Sequence, residues 1–117
     1  YDHNCVVYTG THDNDTVCGW YETMEKEEKE FTKDYIGRGD TPQENVSWDF
    51  IRLAAASVAD LSVVPLQDYL GVGKEGRINT PSTLGGNWTW RLKKGEFTPE
   101  IIERCRKLNW IYGRCRE

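Results

Sequence analysis

Hydrophobic residues form two short runs along the chain, and each run predicts a β-strand. Residues 6–8 are continuously apolar, which favours a buried parallel strand over one that is half exposed; we place this strand within residues 1–10. The second run lies within residues 61–67, where Pro65 sets the end of the strand near Val64 because proline is rare inside a central ladder. Since helical patterns separate the two strands, the sequence predicts a parallel, right-handed βαβ unit.

Helical patterns fill the region between the two strands. Residues 22–60 are predicted to be helical, with one helix that begins near residues 16–19 and runs toward Ile36. A second helix opens with a capping box at residues 41–44, in which Pro42 takes the first helical position. The pattern therefore predicts an α/β fold that is helix-rich and has few parallel strands.

A last helix is predicted over residues 98–114, with Thr98 as its N-cap and Pro99 in the first turn. Apolar residues recur there at helical spacing, which predicts a face turned toward the core. The predicted buried stripe is Ile101, Cys105, Leu108 and Tyr112, widened by Ile102, Trp110 and Ile111.

Charge and cysteine content argue against several classes of function. The chain has 15 basic and 19 acidic residues, and the resulting formal charge of −4 disfavours a nucleic-acid partner held through phosphates. No apolar run approaches the roughly 18–20 residues of a membrane span, so we expect no membrane partner. The four cysteines lack C-x-x-C spacing, which disfavours a zinc site. Because a chain of 117 residues with many apolar side chains does not need disulfides, we expect reduced thiols and a cytoplasmic location.

Candidate chemistry is concentrated directly after the first strand. Gly10 ends the strand, and His12, Asp13 and Asp15 follow within five positions. Short polar side chains at the C-terminal end of a parallel strand are typical of the way α/β enzymes present reacting groups. We therefore expect residues 11–21 to form the functional centre of the chain.

A second candidate loop covers residues 71–91. It contains five glycines and Pro81 with little periodicity, and it ends in the aromatic pair Trp88 and Trp90. Structureless loops longer than about 12–15 residues are uncommon in compact domains and are often functional. We expect an ordered, functional loop, in which at least one of the two tryptophans serves packing.

Three blocks of sequence in these regions resemble the 4-alpha-glucanotransferase family (amylomaltase, or disproportionating enzyme). The blocks are YTGTHDNDT at residues 8–16 followed by GWY at 19–21, PLQDYLG at 65–71, and RINTP at 77–81 leading to GNWTWR at 86–91. They follow the family's order, and the similarity covers essentially the whole chain. The family is several times longer, so the resemblance implies a C-terminal fragment.

The resemblance implies a fold, an activity and site residues. The fold would be the last two βα units of a (β/α)8 TIM barrel, and the parent enzyme would transfer α-1,4-glucan segments between maltooligosaccharides with retention and without a cofactor. Asp13 matches the family's transition-state-stabilising carboxylate, and His12 matches the histidine that hydrogen-bonds the same sugar. Asn79, Asn87 and Trp88 fall in the glucan-binding loop. The nucleophile and acid/base would lie upstream of Tyr1, which predicts that the fragment alone is inactive.

Other readings of the same residues remain open. His12, Asp13 and Asp15 have a spacing that a metal-dependent hydrolase could use, and the chain could instead be a non-catalytic glucan-binding or structural module.

Asp15 is expected to cap the following helix, and Asp68 to cap the turn before Gly71. For Arg77 and Arg91 we expect ion pairs that anchor the long loop.

The complete assignment is of one fragment, residues 1–117. It comprises a strand at 1–10, a catalytic loop at 11–21, helices at 22–60, a strand at 61–67, a glucan-binding loop at 71–91 and a C-terminal helix at 98–114. Because two parallel strands leave two ladder edges open, we also expect the fragment to form homo-oligomers through these edges.

Overall fold

A computed structural model describes residues 3–36 and 45–115. These residues form a small two-stranded parallel sheet and a set of helices that cover one of its faces. In chain order the elements are β1 (Val6–Tyr8), α1 (Val17–Glu22), α2 (Lys26–Ile36), α3 (Val46–Ala56), β2 (Leu61–Val63), α4 (Leu66–Leu70), a short 3₁₀ helix (Lys74–Gly76) and α5 (Pro99–Ile111). The helix-rich α/β prediction is confirmed.

The two strands pair in parallel, as predicted, with Val7 opposite Ser62. The prediction that the first strand is buried is wrong for this chain. The side chains that share one face of the sheet are 38–55% exposed: Val6, Tyr8, Leu61 and Val63. Val7 and Ser62 on the other face are only half-buried. Alternating side chains point to opposite faces of a sheet, and in the described residues the helices cover only the second face.

Helix α3 is the centre of the core. Its N-terminal Val46 packs with Val17, Cys18 and Tyr21 of α1. Further along, it contributes to a second cluster made of Trp48, Ile51, Ala55 and Leu108. Full burial of a side chain such as Ile51 contributes about 1.5–3 kcal/mol, so α3 joins α1 and α5 into one unit.

Helix α5 confirms the predicted cap and stripe. The Thr98 hydroxyl accepts a hydrogen bond from the Ile101 amide at 3.3 Å, and Leu108 is buried against α3. The other stripe members, Ile101, Cys105 and Tyr112, are partly buried against the same cluster.

The expected widening of this stripe is wrong. Ile102, Trp110 and Ile111 are 48–61% exposed. Successive helical residues are about 100° apart around the axis, which places Trp110 nearly opposite Leu108. The helix itself ends at Ile111, before the left-handed Gly113.

The single helix predicted from residues 16–19 to Ile36 is in fact two helices, α1 and α2. The Thr23 amide and the Thr23 hydroxyl both donate to the Trp20 carbonyl, at 3.1 and 2.8 Å. A threonine hydroxyl that takes a backbone carbonyl competes with the helical ladder, and α2 begins only at Lys26. The capping box predicted at residues 41–44 lies outside the described residues.

Both predicted strands are shorter in the structure. The assignment of 1–10 is reduced to Val6–Tyr8, and that of 61–67 to Leu61–Val63. The strand ends at Val63, close to the end predicted from Pro65, and Pro65 is the N-cap of α4, so the last two residues of the assigned range belong to a helix. The catalytic loop assigned to 11–21 is also shorter, because α1 begins at Val17.

Candidate functional site

The loop between β1 and α1 presents two polar side chains at its tip. The Asn14 carboxamide oxygen accepts from the Thr11 amide at 2.8 Å, and the Asn14 amide donates to the Thr11 carbonyl at 3.1 Å. This tight turn holds residues 12 and 13 outward, with side chains that are 54% exposed for His12 and 49% for Asp13. The site therefore lies just beyond the C-terminal end of a strand, as predicted.

The end of this loop is capped differently from the expectation. Thr16 is the N-cap of α1, and its hydroxyl accepts from the Gly19 amide at 3.1 Å. Asp15 is one residue too early for that position, and its Oδ1 instead accepts from the Thr16 amide at 2.8 Å. The prediction that Asp15 caps the helix is therefore wrong, although its carboxylate does help to shape the loop.

Asp68 takes a role that the sequence analysis missed. Its side chain is 2% exposed, and its two oxygens accept from the Thr9 hydroxyl at 2.7 Å and from the Val17 amide at 2.9 Å. The expected cap of the turn before Gly71 is thus replaced by bonds to distant residues. Burial raises the pKa of the Asp68 carboxyl above its ordinary value, while the two hydrogen bonds oppose the rise.

Asp13 is the centre of the site. The Asn79 carboxamide donates to Asp13 Oδ1 at 2.6 Å, and His12 Nε2 lies 3.3 Å from Asp13 Oδ2. Both partners therefore fix the orientation of one half-exposed carboxylate. Such a group can accept hydrogen bonds from a ligand and can stabilise positive charge that develops beside it.

The loop that carries Asn79 is tied to the His12–Asp13 turn by its backbone. The Asn79 amide donates to the His12 carbonyl at 3.1 Å. Arg77 donates to the Asp13 carbonyl at 2.8 Å and to the Asn79 carbonyl at 3.0 Å. Arg91 similarly donates to the Trp90 carbonyl at 3.1 Å. Both arginines hold their loop as predicted, but through carbonyl oxygens where ion pairs were expected.

Trp88 adds an aromatic face to the site. Its ring centroid lies 5.1 Å from that of His12, with the planes inclined by 33°, and its amide donates to the Ile78 carbonyl at 2.7 Å. The residue is 57% exposed, so part of the indole is open to solvent beside His12. The backbone of Trp88 is left-handed, with φ of 60°.

Asn87 lies in the same loop but faces into it. Its carboxamide oxygen accepts from the Thr80 amide at 2.9 Å, and its Nδ2 donates to the Thr83 hydroxyl at 3.0 Å. The structure thus brings together His12, Asp13, Asn79 and Trp88 and leaves Asn87 as a residue that shapes the loop. A substrate-binding role for each of these side chains stays a prediction.

Gly19 is another residue whose importance was not recognised. A Cβ at this buried position would lie 2.8 Å from the Lys74 backbone nitrogen, a distance that carbon and nitrogen do not reach without strain. Its absence lets α1 approach the 3₁₀ helix that leads into the Arg77–Asn79 segment. The tripeptide 19–21 had marked this position in the resemblance, but not the contact.

The described residues were compared with the requirements of a metal site and of a membrane-spanning helix. Across residues 3–36 and 45–115, no group of three or more His, Cys, Asp or Glu side chains is arranged to hold a metal ion. Within the same ranges no helix is both long enough and apolar enough to span a membrane.

Comparisons with known proteins agree with one another. The family pattern described as 4-alpha-glucanotransferase matches residues 1–98. The chain is 51% identical over 116 residues to the 4-alpha-glucanotransferase of Clostridium butyricum, covering 98% of this chain and 23% of that protein. The Thermus thermophilus 4-alpha-glucanotransferase is 47% identical over 106 residues, covering 88% and 21%.

A solved structure is similar over the same length. An amylomaltase from Streptococcus agalactiae, in complex with acarbose, matches with a TM-score of 0.91 and 33% identity, over 99% of this chain and 23% of that one. The chain thus spans between a fifth and a quarter of the length of these relatives. On the strength of the family pattern and the close relatives, the chain belongs to the 4-alpha-glucanotransferase family.

Proposed function

We propose that this chain is the C-terminal part of a 4-alpha-glucanotransferase that moves α-1,4-glucan segments between maltooligosaccharides with retention, without a cofactor. The observation that carries the proposal is the half-exposed Asp13 carboxylate, held by Asn79 and His12 at the end of a parallel strand. Family membership adds support, because the relatives are named for this activity.

The chemistry of the reaction explains why a fixed carboxylate is useful. Cleavage of a glucosidic bond passes through a transition state with oxocarbenium character, and hydrogen bonds to ring hydroxyls that tighten there supply several kcal/mol. We assign this role to Asp13. His12 would bind the same sugar, Asn79 would hold the carboxylate and contact the glucan, and the indole of Trp88 would lie against an apolar sugar face.

The two reacting carboxylates are assigned to other parts of the intact enzyme. Retaining enzymes place a nucleophile and an acid/base about 5–5.5 Å apart on either side of the bond. Near Asp13, the Asp15 carboxylate is engaged by the Thr16 amide and Asp68 is buried. We therefore expect the isolated 117-residue chain to be inactive. Purified chain incubated with maltotriose should release no glucose; activity that survives repurification would contradict this.

The sheet supports a barrel as the complete fold. The residues Val6, Tyr8, Leu61 and Val63 make one apolar face that is uncovered in the described chain. A groove of about 500 Å³ beside β1 is lined mostly by apolar side chains, among them Val7, Phe50 and Leu53. We propose that further strands and helices of a (β/α)8 barrel cover these surfaces in the intact protein.

In the isolated chain, the same uncovered surfaces should promote self-association. Sedimentation velocity at micromolar protein concentration would show dimers or larger species. A profile that contains only monomer would contradict the proposed covering of the sheet by protein.

The central experiment is Asp13→Asn in the intact enzyme. Removal of one group that stabilises charge in a transition state typically lowers kcat about 10²–10³-fold, and kcat/KM should fall with it while KM changes little. Asp34→Asn, an exposed carboxylate on α2, is the matched control and should retain wild-type rates.

Two outcomes of this experiment would contradict the proposal. Normal turnover in Asp13→Asn would remove Asp13 from the mechanism. An intact wild-type protein that binds maltooligosaccharides without converting them would instead indicate the glucan-binding module.

A cytoplasmic location remains a prediction. Relatives from Arabidopsis thaliana and Solanum tuberosum are described as chloroplastic or amyloplastic, so the compartment varies among relatives. Fractionation of the source cells with an activity assay would decide it.

A further inference from the structure

Two neighbouring polar side chains of α4 are buried beneath the site. Gln67 is 4% exposed and Asp68 is 2% exposed. Buried polar groups are retained only where hydrogen bonds satisfy them. The partners of these two side chains lie in the two loops that form the candidate site.

Asp68 holds both ends of the loop that carries His12 and Asp13. Its Oδ2 accepts from the hydroxyl of Thr9, at the end of β1, and its Oδ1 accepts from the amide of Val17, the first residue of α1. The seven residues between these two anchors contain the whole turn. One carboxylate therefore fixes the separation of the ends from which the turn projects.

Gln67 holds the start of the other loop. The Gln67 side-chain Nε2 donates to the Gly76 carbonyl at 3.0 Å, and the Gln67 backbone carbonyl accepts from the Val72 amide at 3.0 Å. Arg77 follows Gly76 directly and bonds the carbonyls of Asp13 and Asn79. Hydrogen bonds, together with the peptide bond between Gly76 and Arg77, thus connect α4 to the backbone carbonyls of the two residues whose side chains meet in the site.

We propose that Gln67 and Asp68 are positioning residues that set the register between the Asp13 turn and the Asn79 loop. The inference rests on the proposed function, since it assigns these residues to the same reaction. Neither side chain reaches the site itself, because both are buried and engaged elsewhere. They act through the Asn79–Asp13 contact, which is 2.6 Å long.

Such a role has a measurable signature. Misplacement of a reacting or stabilising group by about 1 Å can lower turnover about 100-fold even when the altered residue is remote from the substrate. Loss of position should therefore reduce kcat, whereas a purely structural role would reduce the amount of folded enzyme and leave kcat per folded molecule unchanged.

The test replaces the side-chain partner of Asp68, Thr9, and leaves Asp68 in place. Thr9→Val in the intact enzyme removes the hydroxyl that binds Oδ2 and preserves the shape of the side chain, while Thr9→Ser keeps the hydroxyl. We expect kcat, per folded enzyme, to fall about 10- to 100-fold in Thr9→Val, with KM within about 2-fold of wild type. Thr9→Ser, which keeps the hydroxyl, should retain the wild-type kcat.

A matched control separates this effect from the loss of any hydroxyl. Thr32 on α2 donates to the Glu28 carbonyl at 2.8 Å, far along the chain from the site. Thr32→Val should leave kcat unchanged. Gln67→Met, which removes the bond to Gly76 at nearly constant volume, should reproduce the fall in kcat seen with Thr9→Val.

Hydrogen exchange gives a readout that does not depend on activity. In the intact protein, peptides that cover residues 10–16 should exchange faster in Thr9→Val than in wild type or Thr32→Val, and peptides from α5 should be unchanged. An inactive wild-type protein would refute the proposed function, and exchange would still decide whether Asp68 holds the turn. The inference is overturned by wild-type kcat and exchange in Thr9→Val, or by an equal fall in kcat in Thr32→Val.

Discussion

The two loops that meet at Asp13 are held in contrasting ways. The first loop, residues 9–17, is anchored at both ends by a buried carboxylate and passes into the buried start of α1. The second, residues 79–90, is shaped by exposed hydrogen bonds of Asn87, and Leu84 at its tip is fully exposed. Hydrogen bonds open to water contribute less than those whose loss would leave a buried group unpaired.

Because of this contrast, we expect the two loops to differ in mobility. Segments with few buried contacts and exposed hydrogen bonds open at lower free energy than the core. We therefore expect the first loop and the Asn79 contact to stay fixed as ligands bind and leave, whereas the part of the second loop beyond Asn79, with its Trp88, adapts to the glucan. The following predictions test the contrast by changing one loop at a time, and each is measured in the intact enzyme.

The largest effect is expected at the rigid end of the first loop, from Gly19→Ala. In a helix this change normally stabilises by about 0.5–1 kcal/mol, but here the new methyl would lie 2.8 Å from the Lys74 nitrogen. Overpacking of this kind costs about 1–3 kcal/mol. Urea unfolding should thus show a lower free energy of unfolding for Gly19→Ala, and a stabilised variant would refute the close contact.

Gly10→Ala is the control, because a Cβ at Gly10 would have its nearest neighbour at 3.6 Å. It should change the free energy of unfolding by less than about 0.5 kcal/mol.

The anchor of the first loop should also give a distinct pH dependence. Burial, and to a smaller extent the nearby Asp15, raise the pKa of Asp68 in the folded state above its unfolded value. The folded protein then binds more protons than the unfolded one between these two pKa values, so the contribution of Asp68 to the free energy of unfolding falls as pH rises through this window.

Asp68→Asn removes this titration and can retain both hydrogen bonds, with Oδ1 accepting from Val17 and Nδ2 donating to the Thr9 hydroxyl. The stability of the variant relative to wild type should therefore improve as pH rises from the unfolded-state pKa of Asp68 through its higher folded-state pKa, by about 1.4 kcal/mol for each unit of pKa difference. Melting temperatures of both proteins across this range provide the measurement. Melting temperatures of the two proteins that change in parallel with pH would show that burial does not shift the pKa of Asp68.

In the second loop, Asn87→Ala should act locally. The change removes bonds to the Thr80 amide and the Thr83 hydroxyl, worth about 0.5–1.5 kcal/mol each in net terms. Because these bonds are exposed, we expect faster hydrogen exchange in residues 79–90 with a change of less than about 0.5 kcal/mol in global unfolding. A large global loss would mean that the second loop is part of the cooperative core.

The smallest effect is expected at the tip, from Leu84→Ser. The Leu84 side chain is fully exposed, and surface substitutions of this kind usually change stability by no more than about 0.5 kcal/mol. Stability and kcat on maltotriose should both stay at wild-type values. A rise in KM for long glucans alone would show that this leucine touches the substrate.

The sequence predicted side chains that lie together in the structure because its signals are local. Polar residues after an apolar run predicted the turn of His12 and Asp13, and the glycine-rich stretch predicted the loop of Asn79 and Trp88. The structure places these four side chains together. The cap at Thr98 was predicted for the same reason, whereas the parallel pairing of the strands was inferred from the helices that separate them.

What the sequence left open depends on contacts between distant residues. Asp68 binds Thr9 and Val17, which are 59 and 51 positions away, and no local pattern distinguishes such a carboxylate from a helix cap. The break at Thr23 depends on one hydroxyl that takes the Trp20 carbonyl. The exposed side of α5 was misjudged because hydrophobic residues such as Trp110 were assumed to be buried.

The left-handed backbone of Trp88 has a consequence for directed evolution. Residues other than glycine are less stable in this conformation by roughly 1–2 kcal/mol, so the main chain and the side chain at this position favour different amino acids. A randomised library at position 88, screened for resistance to heat, should enrich glycine and asparagine. The same library screened for glucan transfer should retain tryptophan or another aromatic residue. The difference between the residues enriched in the two screens would separate selection for the aromatic side chain from selection for the left-handed backbone.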